Sequence, residues 1–362
     1  MKKKRYKYRK KKKSSKKYIF PLIVSLVLSI LASIAFYWIY LEIDEPKFAK
    51  KWSINRAVNF GNINLPEDEG YHSNKMEWWY YNGHLITKSG KKYSFHFTTF
   101  LLNNVMTHTV FHSSLSDHQQ GLHYIDQDRT AGNSSTGVLN GFDFKQNSWL
   151  MKGSNGHDRI KVENDQFALD LKLESTQSPI YHGNDGIISL GSNESSYYYS
   201  RTRMNTSGVL KIGSIEESVT GVSWFDHQWG DFSTVNLSWD WFSIQLDNGI
   251  DLMLYQLRDK SKNPVLYQGS FTKLGKTEIL NDADFIITPK TKWNSKKTTI
   301  TYPVSWNIKI PKKNIDINIQ SILKNSEFDA KITTYNTYWE GASRISGTHT
   351  GNGFVELNGI KP

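Results

Sequence analysis

The stretch Gly221-Val222-Ser223-Trp224-Phe225-Asp226-His227-Gln228-Trp229-Gly230 sets two titratable side chains between tryptophans. On a strand, successive side chains point to opposite faces, so Asp226 and His227 diverge while His227 and Trp229 share a face. A bulge at this point would turn both polar groups to one side. A carboxyl withdrawn from water among aromatic rings holds its proton toward neutral pH and can donate it. Asp226 and His227 are therefore the candidate catalytic pair. A structural role, tying strand ends together by hydrogen bonds, stays open beside it. Two further aromatic stretches, Glu77–Leu85 and Trp239–Leu246, suit the walls of a cavity for a large apolar ligand. Glu77, Trp79, His84, Trp229, Trp239, Trp241 and Tyr255 are the candidate ligand-binding residues.

Other chemistries find little support. The chain has no cysteine, which removes disulfides, thiolate metal sites and a cysteine nucleophile. No Gly-x-Ser-x-Gly elbow, phosphate loop or dinucleotide fingerprint occurs, and no cofactor is expected. His108 and His112 are four residues apart in a segment that reads as strand, where that spacing does not chelate, so no metal site is expected.

The elements that must position these residues read as strands. Tyr93, Phe95 and Phe97 alternate with Ser94, His96 and Thr98, and Phe167, Leu169, Leu171 and Leu173 alternate with Ala168, Asp170 and Lys172. Lys88-Ser89-Gly90, Thr206-Ser207-Gly208 and Asp247-Asn248-Gly249 are turn signals, the last a strong hairpin signal. No long amphipathic helix is evident. The pattern implies an all-β fold built of antiparallel barrels or sandwiches. An internal echo suggests a duplication: Gly221, Trp224 and Asp226 share their spacing with Gly351, Phe354 and Glu356, and Trp78–Leu85 resembles Trp239–Leu246. The resulting division is a basic tail (1–17), an apolar segment (18–41), a linker (42–55), and domains over 56–230 and 231–362.

The formal net charge of +11 is misleading, because 12 of the 45 basic residues lie in the first 17 positions and the remainder is nearly neutral. Binding to nucleic acid is not expected of the folded part. From Tyr18 to Leu41 no residue is charged, a length that spans a bilayer core, and the stretch closes with Phe36, Tyr37, Trp38 and Tyr40. This reads as an uncleaved signal-anchor with its N-terminus in the cytoplasm by the positive-inside rule. The expected location is thus a single-pass membrane protein with an extracytoplasmic main domain.

Several pieces resemble the AttH-like or CrtC-like proteins, which include carotenoid 1,2-hydratases (hydroxyneurosporene synthases). They are Glu77–Leu85, Tyr181–Gly186, Ser196–Met204, Asp226–Gly230, Trp239–Leu246, Leu252–Arg258 and Tyr338–Gly341. They follow family order from about residue 60 to the end. The resemblance implies two lipocalin-like β-barrels packed together, an apolar pocket and cofactor-free chemistry on a hydrophobic substrate. Two functions follow as expectations. The first is a protein that binds a lipid or isoprenoid beside the membrane, with an export system as candidate partner, and the extracytoplasmic placement favours it. The second is a hydratase or cyclase that protonates an isoprenoid alkene. For the topology, protease added to spheroplasts should digest the chain beyond Glu42 and spare the basic tail; immunoblots with antibodies to each end would show it, and a protected main domain would refute the orientation.

Overall fold

The fold was analysed in a computed structural model of the chain, which describes residues 63–358 except 184, 192–193, 233–237 and 260–262. The tail, the anchor and the linker expected over residues 1–55 lie outside the described residues. Among those described, no helix is long and apolar enough to cross a membrane.

The described chain is antiparallel β with two single-turn 3-10 helices, Glu67–Glu69 and Pro311–Lys313. The Met76–Thr87 strand turns at Gly90, where φ is +87°, and pairs with Lys92–Asn103. Thr107–Asp117 follows beside that strand. On its other edge Met76–Thr87 pairs with Ile215–Gly230, which is hairpinned to Glu194–Ile212. The second sheet repeats this plan. Ser238–Leu246 turns at Gly249, where φ is +80°, onto Ile250–Arg258, and Pro264–Lys273 follows. On the other edge Ser238–Leu246 pairs with Gly351–Asn358, itself hairpinned to Asn336–Gly347.

The spacing echo corresponds to this repeated pairing. Asp226 lies opposite Tyr80 and Gly221 opposite Leu85 in the first sheet. Glu356 lies opposite Trp241 and Gly351 opposite Leu246 in the second. Both glycines are required by close backbone approach. A Cβ on Gly221 would sit 1.9 Å from the His84 carbonyl oxygen, and one on Gly351 would sit 2.3 Å from that of Gln245.

Each sheet curls around its own core. Trp79, Tyr81, Phe95, Phe97 and Phe144 fill the first, and Phe242, Tyr302, Trp306, Ile317 and Trp339 the second. A third apolar cluster lies where the outer faces of the sheets meet, formed by Tyr80, Tyr198, Trp224, Trp241, Tyr255 and Phe354 among others. The paired aromatics of the sequence follow from this arrangement, since strands such as Met76–Thr87 are buried on both faces. The expected barrels are present as curled half-barrel sheets: the end strands of the first path, Leu122–Ala131 and Phe142–Gln146, do not pair directly, and the chain just after Leu122–Ala131 bridges to the latter at Ser135 and Phe144. Gly221→Ala is expected to force the two strands apart and to cost about 1–3 kcal/mol or more, measurable as a lower urea midpoint, whereas Gly213→Ala, whose Cβ meets nothing within 4 Å, would add only the cost of its positive φ.

Candidate active site

Between the outer faces of the two sheets lies a cavity of about 250 Å³. Its inner end is formed by Tyr80, Tyr198, Asp226, Trp241, Tyr255 and Glu340, all buried. Met76, Trp78, Phe100, Leu102 and Trp239 are half-buried and mark its open side. Strand alternation sets this lining: Met76, Trp78 and Tyr80 come from one face of one strand, and Thr98, Phe100 and Leu102 from the next.

Three carboxyls face the cavity: Asp226, Glu340 and Glu356. Asp226 accepts hydrogen bonds at Oδ1 from the Ser200 hydroxyl and from Trp224 Nε1 (2.6 Å), and at Oδ2 from the Tyr198 hydroxyl (2.9 Å). Trp241 Nε1 in turn donates to the Tyr198 oxygen over 3.1 Å. All three direct bonds favour the carboxylate, yet burial outweighs them and pushes the Asp226 pKa up to about 7. Two donors on Oδ1 and one on Oδ2 leave a lone-pair position on Oδ2 for the proton. Glu340 accepts from the Tyr80 hydroxyl, and burial together with the Glu356 charge raises it well above the usual carboxylate range. Glu356 accepts from Trp239 Nε1 at 3.2 Å; burial and the charge of Asp226 push it to about 7. None of the three carboxyls pairs with a lysine or arginine among the described residues. Elsewhere Asp240 has Arg258, Asp251 has Arg203 and Glu69 has Arg201. Behind Glu340, His96 and His112 are buried with pKa values driven down, to about 3 for His112, and are neutral. Both meet the Tyr338 hydroxyl, at 3.3 and 3.0 Å.

The structure divides the residues singled out in the sequence. Asp226, Trp239, Trp241 and Tyr255 line the cavity together. His227 does not join them. The register from Met76–Gly230 to Thr87–Val219 is unbroken, so no bulge interrupts the alternation, and His227 points into the first sheet's interior. There Glu77 Oε1 meets His227 Nε2 at 2.8 Å and His72 Nδ1 at 2.7 Å. Trp79 stacks on His227 with centroids 4.5 Å apart, and Trp229 stacks on His72 at 4.3 Å. His72, Glu77 and His227 bring three ligand-type atoms within 4.8 Å of one another, a grouping the sequence reading did not foresee. The geometry already has Glu77 Oε1 accepting from both rings, and burial lowers the His227 pKa to about 4. His84 stands apart from both groups, edge-on to Phe354 at 5.3 Å, with Nε2 3.3 Å from the Gly353 carbonyl.

Tyr80, Tyr198, Glu340 and Glu356 were missed. Glu356 carried a signal, since it occupies the Asp226 position of the echo. Tyr80 carried one through its shared face with Trp78. Glu340 and Tyr198 carried one only through the resemblance, inside Tyr338–Gly341 and Ser196–Met204.

Residues 56–360 match the profile of the family described as AttH-like. The chain belongs to this family. A solved AttH protein of Nitrosomonas europaea shares the fold with a TM-score of 0.77 at 27% identity, covering 85% of this chain and all of that one. Kievitone hydratase from Nectria haematococca has the same fold, with a TM-score of 0.68 at 18% identity over 88% of this chain and 98% of its own. Among curated sequences, the dehydratase AsqC of Emericella nidulans is 24% identical over 213 residues, which is 55% of this chain and 60% of that relative's length.

The raised Asp226 pKa makes a signed prediction for this AttH-like protein. A carboxyl that binds its proton more tightly when folded stabilises the fold fully below its unfolded pKa, and that contribution is lost as pH rises toward about 7. Buried histidines with lowered pKa values act in the opposite direction, so the comparison has to be with a variant. Asp226→Asn should gain stability relative to wild type as pH is raised from 4 to 7.5. Parallel urea titrations would read this, and an offset independent of pH would show that Asp226 is already ionised across the range.

Proposed function

We propose that this protein is a hydratase or dehydratase that adds water to, or removes it from, a carbon–carbon double bond of an apolar small molecule. The observation that carries the reading is Asp226: a carboxyl held near neutral pKa, hydrogen-bonded on one side and facing an aromatic cavity on the other. The relatives support the same class, one being a hydratase and another a dehydratase. The ligand class expected from the sequence, a lipid or isoprenoid, fits the apolar lining and becomes the substrate class. In the same proposal residues 18–41 hold the fold at the membrane with the N-terminus in the cytoplasm.

In the hydration direction the Asp226 carboxylic acid gives its proton to one alkene carbon and becomes a carboxylate. The Ser200, Trp224 and Tyr198 donors stabilise that carboxylate in place without reorganisation. The other carbon becomes a cation, which the faces of Trp241, Trp239 and Tyr80 stabilise by roughly 0.5–2 kcal/mol per well-placed ring. Water bonds to the cation and releases a proton to the Glu356 carboxylate. Transfer of that proton back to Asp226 restores the starting state. Burial holds Asp226 near 7, and burial with the Asp226 charge holds Glu356 near 7, so the reactive form in this scheme has Asp226 protonated and Glu356 ionised. Dehydration runs the same steps backwards, with an acid protonating the leaving hydroxyl and a carboxylate taking the carbon-bound proton.

The test is incubation of the purified protein with a panel of prenylated aromatics and isoprenoid alkenes in oxygen-18 water. A product heavier by one labelled water is the expected result. Asp226→Asn should lower kcat at least 100-fold while leaving substrate affinity within a few-fold, because a proton donor acts chiefly in the transition state. Full activity of Asp226→Asn would refute the assignment, and retained ligand without any turnover across the panel would return the protein to a binding role.

A further inference from the structure

The strands that wall the cavity all run the same way out of it. Along Met76–Thr87 the lining passes from buried Tyr80 to half-buried Trp78 and Met76, and along Lys92–Asn103 from buried Thr98 to half-buried Phe100 and Leu102. In the second sheet buried Tyr338 is followed outward by half-buried Asn336 and Thr334, and Glu356 by Asn358. The chain segments at this end are therefore the rim of the mouth. Among the described residues, two of them carry exposed large apolar side chains. The segment joining Lys92–Asn103 to Thr107–Asp117 presents Val105, fully exposed, and Met106, 59% exposed. The segment before Asn336 presents Ile332, 76% exposed, and Tyr335, 81% exposed. The two belong to one end of the molecule. Arg129 lies under the Tyr335 ring and donates to the Thr333 carbonyl at 2.7 Å, and it pairs with Val110, a few residues from Val105.

We propose that this rim docks into a lipid bilayer, so that the apolar substrate passes from the membrane interior into the cavity without crossing water. The proposal rests on the reading that the cavity takes an apolar substrate. Single exposed apolar residues are ordinary, but a rim of them around an apolar mouth marks an interaction surface. The length of chain outside the described residues argues for lipid as its occupant. The uncharged stretch ends at Leu41, and the 21 residues from 42 to 62 reach at most about 75 Å when fully extended. With residues 18–41 in the membrane, as proposed above and as the docking also requires, a tether of that length keeps the fold within reach of the membrane, where its apolar rim can meet lipid. Met76, Trp78, Phe100 and Leu102 continue the apolar path from the rim to Tyr80 and Asp226.

The absence of cysteine makes the test clean. Full-length Val105→Cys, Ile332→Cys and Ile215→Cys would each be labelled with an environment-sensitive fluorophore and reconstituted into phosphatidylcholine–phosphatidylglycerol vesicles. Ile215 is the control, 59% exposed and at the far end of the strand that carries Asp226. Labels at 105 and 332 should emit at shorter wavelength and be quenched at least twofold more by doxyl-labelled lipid than the label at 215. Equal quenching at all three positions overturns the proposal. A blue shift that rises with protein density and is insensitive to doxyl lipid assigns the rim to a second copy, and equally overturns it. The readout needs no turnover, so lipid-quenched labels on a protein with no hydratase activity would sink the proposed reaction and leave the docking standing.

Discussion

Neighbouring residues on the strand pair Met76–Thr87 and Ile215–Gly230 have to satisfy two different interiors. Over the buried stretch of this pair, Trp79–Gly83 against Ser223–His227, one face is sealed inside the first sheet and the other is pressed against the second sheet, whereas the Ile215 end is exposed. The titratable groups of the buried stretch are consequently forced to find a partner or lose their charge. Glu77 and His227 find each other on the inner face. Asp226 and Tyr80, one position away on opposing strands, are delivered to the outer face and meet the second sheet. The cavity, its acidity and the packing of the two halves all descend from this double burial.

The three cavity carboxyls are held by neutral donors only: serine and tyrosine hydroxyls and indole N–H groups. Asp240, which does pair with Arg258, is pulled down by that charge, although burial still raises it to about 6. Burial keeps these carboxyls raised beside an apolar cavity lining. Two neutral histidines behind Glu340 add hydrogen bonds without adding charge.

Much of this was legible in the sequence. Alternation, hairpin glycines and the spacing of Gly221-Trp224-Asp226 against Gly351-Phe354-Glu356 carry the all-β fold and its repeated pairing, because period two and close backbone approach are local requirements. The face on which the site lies was not legible. Trp78 and Trp79 are both apolar, and only the partner sheet distinguishes the face that becomes a cavity from the face that becomes a core. The same ambiguity grouped Trp229 and His227 with Trp241, although they occupy separate interiors.

The repeated pairing places Asp226 and Glu356 at corresponding positions, with Tyr80 answering to Trp241 and Ser200 to Glu340 across them. A centre assembled from equal halves begins with two interchangeable acids and no reason for a reaction to run one way across it. The departures from equality remove that degeneracy. One acid is cradled by hydroxyls while its counterpart sits beside another carboxyl. A molecule in the cavity therefore meets unlike acids on its two sides, set by where two similar pairings differ.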